Sequence, residues 1–99
     1  MIGFKVLDRE RLTPTSATGF TASLIPPAEV DTEYVVIQVV AGNIINFCID
    51  GTTATTSVGD LLTKYSKLEV WGYHAMKDFS CIDNGAACTV ECTFMGRGS

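Results

Sequence analysis

The chain has 99 residues, of which 46% are hydrophobic and 18% are charged, with a formal net charge of −4. This length fits one domain, and the apolar content is sufficient for a core, which excludes an intrinsically disordered chain. The acidic balance, with seven scattered Lys and Arg residues, argues against a surface that binds nucleic acid.

The sequence also predicts no membrane partner. Its longest apolar run, residues 35–40, includes Gln38 and is far shorter than the roughly 20 residues that a membrane helix needs. Charged residues interrupt the apolar positions of residues 1–11, unlike the continuous apolar region of a signal peptide. We therefore expect synthesis in a cytoplasm.

The first part of the chain is expected to form two strands. Apolar side chains alternate at Ile2, Phe4 and Val6, which indicates a first strand. A loop over residues 12–19 separates it from a second alternating segment, residues 20–25, which predicts another short strand. The two prolines that follow would end this strand, because proline has no amide hydrogen to donate to a β-ladder.

Two strongly apolar segments, residues 34–40 and 44–49, flank Gly42 and Asn43 in the middle of the chain. These two residue types tolerate positive φ, so the pattern predicts a β-hairpin with a two-residue turn. Both faces of this predicted hairpin are apolar, whereas a sheet with one wet face usually alternates more cleanly. A short domain has little material to cover both faces, so we expect the protein to self-associate.

The polar segment that follows, residues 50–59, is expected to be a rigid corner. Asp50 would accept hydrogen bonds from downstream amides, and Gly51 would adopt positive φ. Ser57 is a candidate cap for a helical turn over residues 57–62.

The last third of the chain predicts three strands. Alternation over residues 67–73 indicates one strand, and Asn84 with Gly85 predicts a hairpin between residues 79–82 and 88–95. The whole chain then has six or seven short strands separated by turns, which is typical of an all-β domain. We predict a compact antiparallel β-sandwich or small barrel, a single domain over residues 1–99 with a loose tail from residue 96.

Four cysteines, Cys48, Cys81, Cys88 and Cys92, suggest either buried apolar side chains, a zinc site or a disulfide framework. No Cys-x-x-Cys spacing occurs, and Cys88 and Cys92 on one strand would lie about 13 Å apart, too far to share a metal. A Cys81–Cys88 bridge across the last predicted hairpin is geometrically possible, but cytosolic synthesis disfavours it. We expect free thiols that are mostly buried in the core.

Few residues are candidates for chemistry. His74 is the only histidine, and no nucleophile motif stands near it in the sequence. Asp50, Asp60 and Asp83 are too widely spaced for a calcium loop, so we interpret them as turn residues. We predict no catalytic residue, no metal ligand and no cofactor, and therefore a protein that is not an enzyme.

The order of these segments resembles a group of small β-sandwich virion structural proteins of tailed bacteriophages, of the head decoration, cement or tail-associated type. The shared pattern is an apolar strand, a short turn, a second strand that ends in Asp-Gly-Thr, a Gly-x-x-Leu segment and a last alternating strand. The resemblance covers roughly residues 17–95, and its matching segments are residues 36–39, 45–52, 59–62 and 88–92. It implies a structural role with no catalytic residues.

The expected function is therefore that of a non-enzymatic capsid decoration or cement protein, located in the virion. Its partners would be itself, as a homo-oligomer such as a trimer, and the major capsid protein or another virion protein. The alternative is a carbohydrate- or receptor-binding module of the tail, in which Trp71 and Tyr73 would stack on a sugar. The residues expected to make contacts are Phe4, Ile25, Pro26, Trp71 and Tyr73.

Overall fold

Seven strands make up most of the computed structural model, which describes residues 4–25 and 32–97. The strands are β1 Phe4–Leu12, β2 Thr32–Ala41, β3 Ile44–Cys48, β4 Asp60–Thr63, β5 Lys67–Trp71, β6 Ser80–Asp83 and β7 Thr89–Arg97. A 3₁₀ turn spans Ala22–Leu24, and one short α-helix, α1, spans Tyr73–Lys77. The strands form a four-stranded antiparallel sheet in the order β1-β7-β2-β5 and a three-stranded antiparallel sheet in the order β4-β3-β6.

The hydrophobic core lies between these two sheets. Strand β2 contributes Val35, Ile37 and Val39 from the four-stranded sheet, and β3 contributes Ile45 and Phe47 from the other. The all-β sandwich prediction is confirmed; among the described residues the two sheets stay separate and do not close into a barrel. Further core side chains are Leu12, Leu62, Val70, Phe79, Cys81, Cys88, Val90, Cys92 and Phe94.

The predicted central hairpin is wrong, because its two strands belong to different sheets. Strand β2 pairs with β5 and β7, while β3 pairs with β4 and β6. Gly42, with φ +87°, lies in a connection that crosses from one sheet to the other. The crossing places the two apolar strands on opposite sides of the shared core, so that the inward face of each packs toward the other sheet.

The predicted last hairpin is wrong for the same reason, since β6 and β7 also lie in different sheets. Gly85 has the expected positive φ of +93°, but Asn84 is bonded to β3. The Asn84 N–H donates to the Ile44 carbonyl at 3.1 Å, and its side-chain Nδ2 donates to Asn46 Oδ1 at 2.7 Å. These bonds hold the connection against the three-stranded sheet.

A third crossing, from β4 to β5, packs at the same end of the sandwich. The N–H of Lys64 donates to the Asn43 carbonyl at 2.7 Å, and the N–H of Tyr65 donates to the Val39 carbonyl at 2.8 Å. The connection between β2 and β3 also contacts the connection between β6 and β7, since a Cβ added to Gly42 would lie 2.6 Å from the Ala87 carbonyl oxygen. Three of the four connections that carry the chain between sheets therefore pack against one another, while the fourth runs from β5 through α1 to β6.

The predicted strand over residues 20–25 is also wrong, because this segment contains the 3₁₀ turn. Glu10 holds the start of the turn by accepting hydrogen bonds from both the N–H and the hydroxyl of Thr21. Phe20 stacks on Phe79 with ring centroids 4.3 Å apart. The segment thus fills the core edge with side chains and does not add a strand.

Three other boundaries differ from the sequence prediction. The helical turn that Ser57 would cap is absent from the described residues, where Asp60 instead begins β4. The strand predicted over residues 67–73 ends at Trp71, because Gly72 adopts φ +88° and turns the chain into α1. Strand β7 continues to Arg97, so the chain is paired two residues into the predicted loose tail.

The close packing of the crossings predicts that Gly42→Ala destabilises the protein far more than Gly85→Ala. Both residues have similar positive φ, but a Cβ at Gly85 meets no atom within 4 Å, whereas one at Gly42 collides with backbone. We expect Gly85→Ala to cost about 1–2 kcal/mol from backbone strain alone. We expect Gly42→Ala to cost about 3 kcal/mol or more, at the upper end for single substitutions.

Urea denaturation of both variants and the wild type measures these costs. Gly85→Ala is the matched control, because it carries the same left-handed strain without the collision. Equal losses of stability in the two variants would contradict the crossing geometry.

Candidate interaction surface

The outward side of the four-stranded sheet carries a cluster of large apolar side chains. Tyr34 pairs in register with Trp71 on β5 and with Met95 on β7, and Met95 pairs with Val6 on β1. Val35 and Val70, their neighbours along the chain, point into the core, so these side chains point away from it. We call Phe4, Val6, Tyr34, Trp71 and Met95 the aromatic face.

The three rings of the aromatic face form an ordered stack. The ring of Trp71 lies on Tyr34 with centroids 4.1 Å apart, and the edge of Phe4 meets both rings, at 5.2 and 5.7 Å. Trp71 Nε1 also donates a hydrogen bond to Glu69 Oε1 at 2.9 Å. These contacts fix the side chains before any partner arrives, which lowers the entropy cost of association.

Much of this ordered cluster remains in contact with solvent. The exposed fractions are 45% for Phe4, 52% for Val6 and 50% for Trp71, whereas Tyr34 is covered by its neighbours and only 9% exposed. Because these exposed apolar side chains are clustered and not scattered, the aromatic face is a candidate interaction surface.

The next two rows of side chains on the same sheet face carry charged residues at their ends. The next row across the sheet runs from Glu69 on β5 to Arg9 on β1, through Val36 and Thr93. The row has an acidic end and a basic end, with smaller side chains between them.

The third row across the same face contains an ion pair. It runs from Lys67 through Gln38 and Glu91 to Arg11. Arg11 Nη2 lies 2.8 Å from Glu91 Oε2. Exposed ion pairs of this kind add little stability, so their importance here is in where they place charge.

Of the five predicted contact residues, the structure brings Phe4 and Trp71 together on the aromatic face. Tyr73 lies apart from them on α1, in ring contact with His74 at 5.1 Å. The prediction that Ile25 makes partner contacts is wrong: Ile25 is 7% exposed and belongs to the core, because the 3₁₀ turn directs it inward. Pro26 lies outside the described residues.

Val6, Tyr34 and Met95 are contact candidates that the sequence prediction missed. The alternation of Phe4 and Val6 gave a signal for the first of them. Tyr34 and Met95 gave none, since their position on this face depends on strands that are distant in sequence.

A second feature is an open groove of about 350 Å³ along the 50–59 connection, lined by Phe47, Cys48, Ile49, Asp50, Thr52, Val58, Gly59 and Asp60. The structure supports the corner interpretation of this connection. Gly51 has φ +88°, and the Thr52 N–H donates to Asp50 Oδ1 at 3.0 Å. This bond lowers the pKa of Asp50 because it stabilises the carboxylate.

The groove offers no activated nucleophile. The pKa of the Cys48 thiol is raised, first by burial and then by the charges of Asp50 and Asp60, which disfavours the thiolate. Residues 4–25 and 32–97 contain no group of three or more His, Cys, Asp or Glu side chains that could hold a metal ion.

All four cysteines are buried, as predicted, and they are free thiols. Burial raises the pKa of Cys81 to about 12, with a smaller contribution from Cys88, and also raises the pKa of Cys92. The thiols therefore behave as small apolar core side chains.

Comparison of the chain with protein-family models, with curated proteins and with solved structures gives no match. Within the part of the chain that the structure describes, there is no helix with the length and apolar character needed to cross a membrane.

The Asp50 cap predicts a pH-dependent loss of stability in Asp50→Ala. Because folding lowers the pKa of Asp50, its contribution is present above the ordinary Asp pKa of about 3.9 and is lost as pH falls through the lower folded value. We expect the variant to be less stable than the wild type at pH 7, with the difference shrinking in strong acid. Thermal unfolding at several pH values measures it.

Asp50→Asn is the matched control for this experiment, since its side-chain oxygen still accepts the Thr52 N–H without titrating. It should retain more stability at pH 7 than Asp50→Ala. A pH-independent difference between Asp50→Ala and the wild type would rule out the cap as the source.

The cysteine environments predict slow thiol labelling of the native protein and four equivalents after unfolding without reductant. Cys48 should react first, because it lines the open groove, whereas Cys81 and Cys92 are fully buried. Cys48→Ala should remove the fastest phase and leave three equivalents. Only two equivalents in the unfolded wild type would instead indicate a disulfide, with Cys81–Cys88 as the first pair to examine.

Proposed function

We propose that this protein is a non-enzymatic structural subunit of a tailed-bacteriophage particle, specifically a capsid decoration or cement protein that stabilises the shell through oligomeric contacts. The observation that carries the proposal is the aromatic face, on which Phe4 and Trp71 are held in ring contact and, together with Val6, are about half exposed. The order of sequence segments that resembles small phage virion proteins supports the location in a virion.

The aromatic face supplies the kind of surface from which such a subunit gains binding energy. Two half-exposed aromatic side chains offer about 200 Å² of apolar surface, since each buries about 150–250 Å² when fully covered. At about 25 cal/mol per Å², each copy contributes a modest amount of free energy. Many copies on one shell would multiply that contribution, because linked contacts bind far more tightly than isolated ones.

The alternative of a sugar-binding tail module depends on Trp71 and Tyr73 forming one platform. Gly72 turns the chain between them, so Trp71 lies on the sheet and Tyr73 on α1. Trp71 also has one ring face covered by Tyr34. No feature of the described surface favours the sugar-binding function.

The proposal predicts that the protein is present in many copies in purified virions of the phage that carries its gene. Mass spectrometry of those virions measures the copy number. Shells assembled without the protein should break at a lower temperature, and addition of the purified protein should restore their stability. Absence from virions, together with no effect on shells, would refute the proposed function.

A further inference from the structure

We propose that the aromatic face is covered by a second copy of this chain, docked face to face about a two-fold axis parallel to the strands. The inference rests on the proposed function, since it identifies the partner in one of the oligomeric contacts.

The outward side of the four-stranded sheet has the apolar centre and polar rim of a dimer interface. A stable interface buries about 800 Å² on each partner, around a smaller apolar centre in which aromatic residues are enriched. The aromatic face provides such a centre, and the two charged rows beside it provide a polar rim. Because the exposed aromatic side chains offer far less than this area, the contact must extend over the whole outward side of the four-stranded sheet, which suits the same face of a second copy as the partner.

The row nearest the aromatic face carries opposite charges at its two ends. This row has Glu69 at the β5 edge and Arg9 at the β1 edge. A two-fold axis parallel to the strands exchanges the two edges, so Glu69 of each copy approaches Arg9 of the other. Two ion pairs form together, as the symmetry of an isologous dimer requires.

The same operation pairs the apolar residues with one another. Trp71 at one edge of the aromatic face meets Val6 at the opposite edge of the second copy, and Tyr34 and Met95 lie near the axis. A two-fold axis perpendicular to the strands and passing through the middle row, as full overlap of the two faces requires, would instead lay the aromatic row over the row of Lys67 and its neighbours. That arrangement would bury charge against rings, so the parallel axis is favoured.

The third row is compatible with this arrangement. Lys67 would approach Arg11 of the second copy, but the Arg11 guanidinium is already bonded to Glu91, with Nε 2.9 Å from Oε2. Glu91 Oε1 also lies 3.9 Å from Arg9 Nη1, so this carboxylate is shared by the two guanidinium groups of β1 and offsets part of the like charge at the rim. The net charge of −4 on each copy is a general repulsion, which predicts tighter association as salt is added up to moderate concentrations.

The outward side of the three-stranded sheet is a poorer candidate for this contact. Its central residue is Asn46, whose side chain is buried and hydrogen-bonded to Asn84. Leu61, 58% exposed, lies beside it on β4. Leu61 therefore gives a matched control, as a large exposed apolar residue on the opposite side of the sandwich.

Sedimentation equilibrium of the purified protein at micromolar concentration tests the proposal. The wild type should form dimers, and Trp71→Ala should raise the dissociation constant about tenfold or more, as loss of a central aromatic residue does. Leu61→Ala should leave it unchanged. Dimers lost with Leu61→Ala but kept with Trp71→Ala would overturn the proposal, as would a wild-type monomer.

A charge exchange tests the orientation. Arg9→Glu alone places two carboxylates together and should weaken the dimer, whereas Arg9→Glu combined with Glu69→Arg should restore it. Circular dichroism checks that each variant is folded, because Glu69 also holds the Trp71 indole. A double variant no better than the single one would overturn the proposed two-fold axis.

These experiments separate the inference from the proposed function. A protein that stabilises shells but sediments as a monomer refutes only the dimer. A protein that forms the dimer but is absent from virions refutes only the phage function.

Discussion

The fold depends on a close backbone contact between two connections that cross from one sheet to the other. At Gly42 the chain passes so near to Ala87 and Cys88 that a Cβ would lie 2.6 Å from the carbonyl oxygen of the one and the sulfur of the other. Only glycine fits there, and its positive φ also makes the turn possible. The contact allows β2 and β3, consecutive in sequence, to become inner strands of different sheets.

The crossings decide what lies on the outer surface. Because β2 pairs with β5 and β7, and β7 pairs with β1, Phe4 and Trp71 meet on one side of the sheet although they are far apart in sequence. Tyr34 between them is covered by both rings. The aromatic face is therefore a product of strand order and would not exist in a meander of hairpins.

Other reactive-looking groups have structural roles in this architecture. Asp50 fixes the backbone of its connection through the Thr52 amide, and Cys81, Cys88 and Cys92 fill space in the core, where burial raises the pKa of Cys81 and Cys92. Among the described residues, the candidates for contact with a partner are therefore the exposed apolar and charged side chains. The aromatic face and the charged rows beside it support the proposed structural role, in which an apolar centre would give affinity and the surrounding charges would set orientation.

The sequence by itself determined the local features: the alternating strands, the positive φ of Gly51 and Gly85, the Asp50 cap and the burial of the cysteines. Except for the burial of the cysteines, which needs strands distant in sequence, each depends on residues close together in the chain. Only the tertiary structure decided which strands pair, that Ile25 is in the core and that Tyr73 leaves the sheet. A glycine turn suits a hairpin and a crossing equally well, and alternation identifies a strand's apolar face but not its neighbour. Which strands become neighbours depends on the packing of the whole chain, because the apolar faces of both sheets must meet in one core.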